Sequence, residues 1–515
     1  MRIDGSEPPK TGNPAITALA QSIGLYLLLA GVFWTGFAQG DAVHYARFAL
    51  NTVENFPYQG EIHWALRHPL VLPMAASIAM FGASEFVASL PSLFYGAALV
   101  IISHIFGHRF LGAGAGRVLG LFVASSAFLS LHPLGIDIAT PELVFAVLAI
   151  WRFLESLAKY DAGRRPLWGG LFLAGSCAGL SWLCRETAGY LPVVFIAGAV
   201  VMAPRGDRIR VALLACGGFG AVLCVEMLVY YMTTGTPFYR YVLSLGHGDG
   251  HVQSRHFADM GNQPIWLFLT TPLNRLATSP SVTPMLVLAV FASLWLWRKP
   301  LSSDARRMLV LLGFAGGFSL LLSGYVLSLE RPRYYPVLGY WAFVVLAAAS
   351  PHLSRQFGKR VAVAWVVGIC ALGPIVADIG RDPRTAEFRT LAGLAQAHEG
   401  AIVADPLAVL WGEMYLRLSG MSALQADAAL EFPAALAPGA LVFVPGASAL
   451  DPALAPQPDW IVTKTIENSN SSVLGPVLRL VLRCAKWTGP IAGYCAPVPP
   501  AALYSVPRSV GGRGA

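Results

Sequence analysis

The sequence predicts a mostly α-helical, polytopic integral membrane protein of about eleven transmembrane helices. Interfacial helices are expected in its first outer loop, and a small α/β domain at its C-terminus. Three observations carry this. Of 515 residues, 55% are hydrophobic and 12% charged, with mean hydropathy +0.58; a soluble chain carries about 25% charged residues. Apolar runs near the length that crosses a bilayer recur from residue 15 to residue 377. The basic residues gather between alternate runs, so the net charge of +8 belongs to membrane orientation and not to nucleic acid.

Residues 1–14 read as a cytoplasmic tail. The first expected span, 15–38, is longer than the roughly 7–15 apolar residues of a signal peptide, so it is expected to stay uncleaved. The first outer loop, 39–83, opens with Gly40-Asp41-Ala42-Val43-His44-Tyr45. A carboxylate at a membrane edge is costly and marks a functional site by default. The plainer reading of Asp41 is a cap for the helix that begins there. The run 69–82 is short, contains Pro69 and Pro73, and is expected to lie flat at the interface.

The remaining spans are expected at 85–107, 115–134, 139–157, 167–184, 187–203, 209–231, 282–297, 307–329, 335–350 and 360–377. With 69–82 flat, the loops on the N-terminal side are all basic. They hold Arg109 and Arg117; Lys159, Arg164 and Arg165; Arg205, Arg208 and Arg210; Arg298, Lys299, Arg306 and Arg307; and Arg355, Lys359 and Arg360. That side is expected to be cytoplasmic. The opposite face then carries loop 39–83, the turn at Asp137, loop 232–281, the stretch Glu330 to Tyr335 and the tail 378–515.

The tail alternates short apolar runs, such as Ala401-Ile402-Val403 and Leu441-Val442-Phe443-Val444, with Pro, Gly and Asp turns. That pattern reads as a small extracytoplasmic α/β domain of parallel strands. Cys484 and Cys495 lie in it and could pair outside the cytoplasm. Cys177, Cys184, Cys216, Cys224 and Cys370 lie in or beside apolar runs and read as small core residues.

The outer face collects the chemistry. Besides Asp41 it holds His68-Pro69-Leu70, Asp137 with Glu142, the hairpin Leu183-Cys184-Arg185-Glu186-Thr187, and Arg331 with Arg333. Each has a plain alternative. Asp137 could be a cap, Arg185 and Glu186 a local ion pair, and Arg331 and Arg333 interfacial anchors. The long loop holds His247, Asp249, His251, His256 and Asp259 among glycines. As a metal set that spacing is loose, and a lid over the site is the simpler reading.

In this order the features resemble the glycosyltransferase-C superfamily, in the branch of protein O-mannosyltransferases and lipid A aminoarabinose transferases. The resemblance is carried by Asp41 with Tyr45, His68-Pro69-Leu70, Phe81-Gly82, Leu90-Pro91-Ser92, Asp137, Arg333-Tyr334-Tyr335-Pro336 and Ala502-Leu503-Tyr504-Ser505-Val506. There are departures. Ala42 stands where a second acid is usual, Leu70 where a second proline is, and Arg185 where a lysine often is. The missing acid weakens any two-carboxylate metal site beside Asp41, so no cofactor is expected, a metal ion being the lesser alternative.

The resemblance implies a polyprenyl-phosphate sugar donor and a glycolipid, glycan or protein acceptor at the outer face of the cell membrane. Asp41 and Asp137 are then the expected catalytic acids, with Asp41 the base. Tyr45, His68, Arg185, Arg331, Arg333 and Tyr334 are the expected substrate-binding residues, with His68, Arg331 and Arg333 on the phosphate. Rival readings are a flippase or transporter of a lipid-linked sugar, with Glu226 as its buried acid, a ligase or polymerase using a pyrophosphate-linked glycan, and a non-catalytic assembly protein.

Overall fold

The computed structural model describes residues 14–34, 36–37, 40–60, 62–131, 136–161, 168–246, 265–277, 279, 282–326, 332–379, 384–398, 400–432, 440–445, 461–466 and 501–506. The protein is a polytopic helical membrane protein with a small C-terminal sheet. Helix α1 is Pro14–Phe33, α2 Gly40–Glu54, α3 His68–Phe81, α4 Glu85–Leu111, α5 Ala113–Ser125, α6 Ala139–Asp161 and α7 Trp168–Cys184. Then follow α8 Leu191–Met202, α9 Arg208–Thr234, α10 Tyr239–Gly246, α11 Ile265–Ala277, α12 Thr283–Leu296, α13 Ser303–Leu320, α14 Pro336–Phe357 and α15 Lys359–Ile379.

Every segment expected to cross the membrane falls on one of these helices. Among the described residues, six helical segments are long and apolar enough to cross: Ile16–Phe33, Glu85–Leu111, Arg208–Thr234, Ser303–Tyr325, Pro336–Phe357 and Lys359–Ala377. Helix α3 has 14 residues, about 21 Å, which is short of the roughly 30 Å hydrocarbon layer. Helices α7 and α9 pack through small residues, as membrane helices do where lipid supplies no hydrophobic drive. A Cβ on Gly175 would collide with the backbone of Ala215, and one on Gly218 with that of Phe172.

The buried residues form two main cores. One lies within the bundle and includes Tyr26, Phe106, Phe122, Phe153, Phe195, Tyr340 and Phe343. The other lies where the loops meet. It joins Val43, Tyr45 and Phe48 of α2, Leu70 and Met74 of α3, and Ile136 and Ile138 to Phe388, Trp411, Phe443 and Leu503 of the tail. The tail and the first loop therefore share one apolar interior.

The tail comprises α16 (Arg384–Ala397), α17 (Pro406–Leu418) and α18 (Ala423–Ala429) with strands β1 (Ile402–Val403), β2 (Leu430–Glu431), β3 (Leu441–Val444), β4 (Ile461–Ile466) and β5 (Ala501–Ser505). The sheet order is β2-β1-β3-β5-β4. Strands β2, β1 and β3 are parallel. Here the expectation of parallel strands is corrected: β5 runs antiparallel to both β3 and β4. Apolar runs between turns mark strands but not their direction, which depends on the connections. Cys484 and Cys495 lie outside the described residues.

Glu85, in the first turn of α4, ties the two regions together. Its Oε1 accepts from the Phe37 backbone N–H at 2.7 Å, from Arg389 Nη2 at 2.8 Å and from the Tyr415 hydroxyl at 3.1 Å. Arg389 Nε donates to its Oε2 at 2.9 Å. A second tie runs from Arg417, buried in α17, to Glu54 of α2 at 2.9 Å.

Candidate active site

Asp41 lies in the first turn of α2, where a negative charge suits the helix N-terminus. Its Oδ2 is 3.0 Å from Arg333 Nη2, with both side chains partly exposed. One turn along, Tyr45 is fully buried and its hydroxyl accepts from Arg67 Nη1. The Arg67 guanidinium also lies 5.5 Å from the Tyr45 ring centroid. Burial raises the Tyr45 pKa, against a pull from Arg67, so the phenol stays protonated; Asp41, Arg185 and Asp137 all act on it as well.

Asp137 follows Ile136, whose φ of 65° is rarely adopted by a branched side chain. Asp137 Oδ1 accepts from the Ala139 N–H at 3.0 Å, so it does cap α6. The same oxygen lies 3.7 Å from Arg185 Nη2. Arg185 Nη1 is 3.0 Å from Glu142 Oε2, an acid in the first turn of α6. The side chains of Arg185 and Glu142 are 3% and 1% exposed. Ser181 and Thr187 donate to Glu142, at its backbone carbonyl and its Oε1 respectively.

The two parts meet at Arg333. Arg185 Nη1 donates to the Arg333 carbonyl at 2.7 Å. Both guanidiniums lie against the Tyr334 ring, Arg185 at 4.9 Å and Arg333 at 5.4 Å from its centroid. Burial works against the charged form of Arg333, but Asp137 and Asp41 outweigh it and raise its pKa. Arg185 stays charged in the same way, with Glu142 and Asp137 overcoming its burial. Asp41, Tyr45, Asp137, Arg185, Arg333 and Tyr334 are thus brought into one network. The plain alternative of a local Arg185–Glu186 pair does not hold, since the two turn to different partners.

Glu186 faces a second cluster. Arg240, 1% exposed, donates from Nη1 to Glu186 Oε1 at 2.6 Å and from Nε to Glu226 Oε1 at 2.7 Å. Its Nη2 donates to the Leu66 carbonyl at 2.6 Å. Glu226 is therefore a paired acid. His68 Nε2 is 2.8 Å from the Tyr230 hydroxyl. Burial, aided by Arg240, pushes the His68 pKa down to about 4, so the ring is neutral at pH 7. A neutral ring can still hydrogen-bond a phosphate.

The His68 shift has a testable sign. An unfolded histidine titrates near 6.5, and His68 in the fold near 4. Between those values the unfolded chain binds a proton that the folded chain does not. His68 therefore contributes stability above about pH 6.5 that is lost as the pH falls towards 4. The melting temperature of the wild type should fall across that window more steeply than that of His68→Gln. Parallel slopes would show that His68 titrates alike in both states.

Arg331 and the histidines of the long loop lie outside the described residues. Among the described residues no group of three or more His, Cys, Asp or Glu side chains is placed to hold a metal ion. The sequence reading missed Arg67 and Arg240. The available signal was the one used for Asp41, a charge in a loop at the membrane edge.

No family model matches the chain, and no curated protein matches it. Solved structures do. A crystal structure of the Archaeoglobus fulgidus oligosaccharyltransferase in complex with zinc and sulfate matches with a TM-score of 0.52 at 13% identity, covering 78% of this chain and 61% of that one. The archaeal oligosaccharyltransferase AglB from Archaeoglobus fulgidus, in complex with an inhibitory peptide and a dolichol-phosphate, matches with a TM-score of 0.51 at 13% identity, covering 81% and 64%. ArnT from Cupriavidus metallidurans bound to undecaprenyl phosphate matches with a TM-score of 0.47 at 14% identity, covering 96% and 100%. The chain thus spans less than two thirds of the oligosaccharyltransferase chains. The first two likenesses show the fold.

Proposed function

We propose that this chain, which has the glycosyltransferase-C fold, is a membrane glycosyltransferase that moves a sugar from a polyprenyl-phosphate donor to an acceptor hydroxyl. The observation that carries the reading is the Asp41–Arg333 pair at 3.0 Å. It sets a carboxylate, able to take a proton, beside a guanidinium, able to bind a phosphate. The dolichol-phosphate in the archaeal oligosaccharyltransferase supports a lipid-phosphate ligand for this fold.

In this reading the acceptor oxygen attacks the anomeric carbon, and the bond from that carbon to the phosphate oxygen breaks. Asp41 takes the acceptor proton, which a positioned base does with a gain of about 10²–10⁴ in rate. Arg333 receives the charge that develops on the leaving phosphate, and its fork suits paired phosphate oxygens. Arg185 and Tyr334 hold Arg333 in place, and Asp137 holds Arg185. Tyr45 presents its protonated hydroxyl to the site, and Arg331 belongs to the same phosphate-binding stretch. The N-terminus lies in the cytoplasm, and the tail and the site lie outside the cell membrane, as the basic loops indicate. The acceptor is a glycolipid, a glycan or a protein.

The test is transfer by the purified protein in lipid vesicles, from a polyprenyl-phosphate-linked sugar to envelope glycolipids and glycoproteins read by mass spectrometry. Arg333→Ala should lower donor use about ten- to a hundredfold, the loss of one charge-assisted contact of roughly 1.5–3 kcal/mol. Arg333→Lys should recover part of it, because the fork is lost. Normal transfer by the alanine variant would leave Arg333 as a membrane anchor. Transfer only from a pyrophosphate-linked glycan would favour a ligase or polymerase.

A further inference from the structure

Arg240 bonds to four groups on three separate parts of the chain. Two of its partners are the Glu226 and Glu186 carboxylates. The others are the carbonyls of Leu66 at 2.6 Å and Leu183 at 3.5 Å. Leu66 immediately precedes Arg67 and His68, the turn whose Arg67 holds the Tyr45 hydroxyl. Leu183 and Glu186 bracket Arg185, which holds Arg333 through its carbonyl and Asp137 through its carboxylate. Arg240 thus joins the turn that carries Arg67 to the turn that carries Arg185.

The same region grips the first loop twice more. Tyr230, one turn beyond Glu226 on α9, meets His68 at 2.8 Å, and the Tyr239 hydroxyl donates to the Gly60 carbonyl at 2.8 Å. Arg240 also reaches the 183–186 turn. Its charge is neutralised within the cluster by Glu186 and Glu226, with Arg67 acting on Glu186 as well. A buried guanidinium bonded in this way is committed to the protein's own groups.

We infer that Arg240 is a positioning residue that sets the separation of the Arg67–Tyr45 and Arg185–Arg333 arms of the site. The inference rests on the reaction proposed above for what those arms do, but not for the contact itself. A lysine keeps the charge beside Glu226 and Glu186. Its single ammonium does not reproduce a fork that serves two carboxylates and two carbonyls at once.

The test uses the full-length protein in lipid nanodiscs and two readouts. Arg240→Lys should be made and inserted normally, and amide hydrogen exchange over residues 62–68 and 183–190 should rise about tenfold or more as the two turns open locally. Its kcat should fall about ten- to a hundredfold with donor KM changed by less than about threefold, because a misplacement near 1 Å is felt mainly in the reacting geometry. Unchanged exchange in Arg240→Lys, or activity that falls only with the amount of folded protein, overturns the role. Should Arg240→Lys fold poorly, Arg240→Met with Glu226→Leu removes both charges and must show the same exchange pattern. Absence of transfer by the wild type would sink the proposed reaction, while the exchange readout still decides the role of Arg240.

Discussion

Asp41→Asn is expected to be made and inserted at wild-type levels and to transfer almost no sugar from a polyprenyl-phosphate donor. Asn and Asp cap helices about equally well, so a residue that only starts α2 would tolerate the change. The lost attraction to the helix N-terminus costs about 0.3–1 kcal/mol. The lost pair with Arg333 adds little more, since both side chains are partly exposed. A general base contributes about 10²–10⁴ in rate, and an amide cannot take its place. The measurement is turnover by purified protein in lipid, normalised to folded protein. Near-normal turnover would reduce Asp41 to a cap and move the choice of catalytic acid to Asp137.

Arg185→Met should be the most destabilising single change in the site. It leaves Glu142 buried without its cation, and breaking a buried pair from one side costs about 3–5 kcal/mol. It also removes the donor to the Arg333 carbonyl and the cation that faces Asp137. Pairing it with Glu142→Leu removes the stranded charge. The double variant should regain most of the folded yield, because apolar replacement of a buried pair is often neutral. It should not regain transfer, since Arg333 and Asp137 have still lost their support. Thermal melting and transfer, read on the same samples, separate the two effects. A double variant with full activity would make Arg185 purely structural.

The residues of the site were easier to read from sequence than their pairings. Asp41, Asp137, Arg185 and Arg333 stand out because charge beside an apolar run is expensive and rarely idle. The bond from Arg185 to the Arg333 carbonyl spans 148 residues of chain, and no local pattern encodes a contact of that range. Arg67 and Arg240 were overlooked for a related reason. Arg67 borders His68, which drew the motif reading, and Arg240 sits in the long loop, which read as a lid. Burial then altered the chemistry of His68 in a way that composition does not show. In the tail, the strand holding Leu503 and Tyr504 was expected from the family resemblance, but its place between β3 and β4 was not.

Glu85 receives the backbone N–H of Phe37, four positions before Asp41, and the same carboxylate receives Arg389 and Tyr415 of the tail. The approach to Asp41 is thus moored to a part of the polypeptide made more than 300 residues after Glu85. During synthesis the bundle can insert well before this mooring exists. Arg389 and Tyr415 sit on α16 and α17, whose apolar faces share one interior with the first loop. A chain cut short after α15 would carry every residue of the network and lack the two tail groups that hold Glu85.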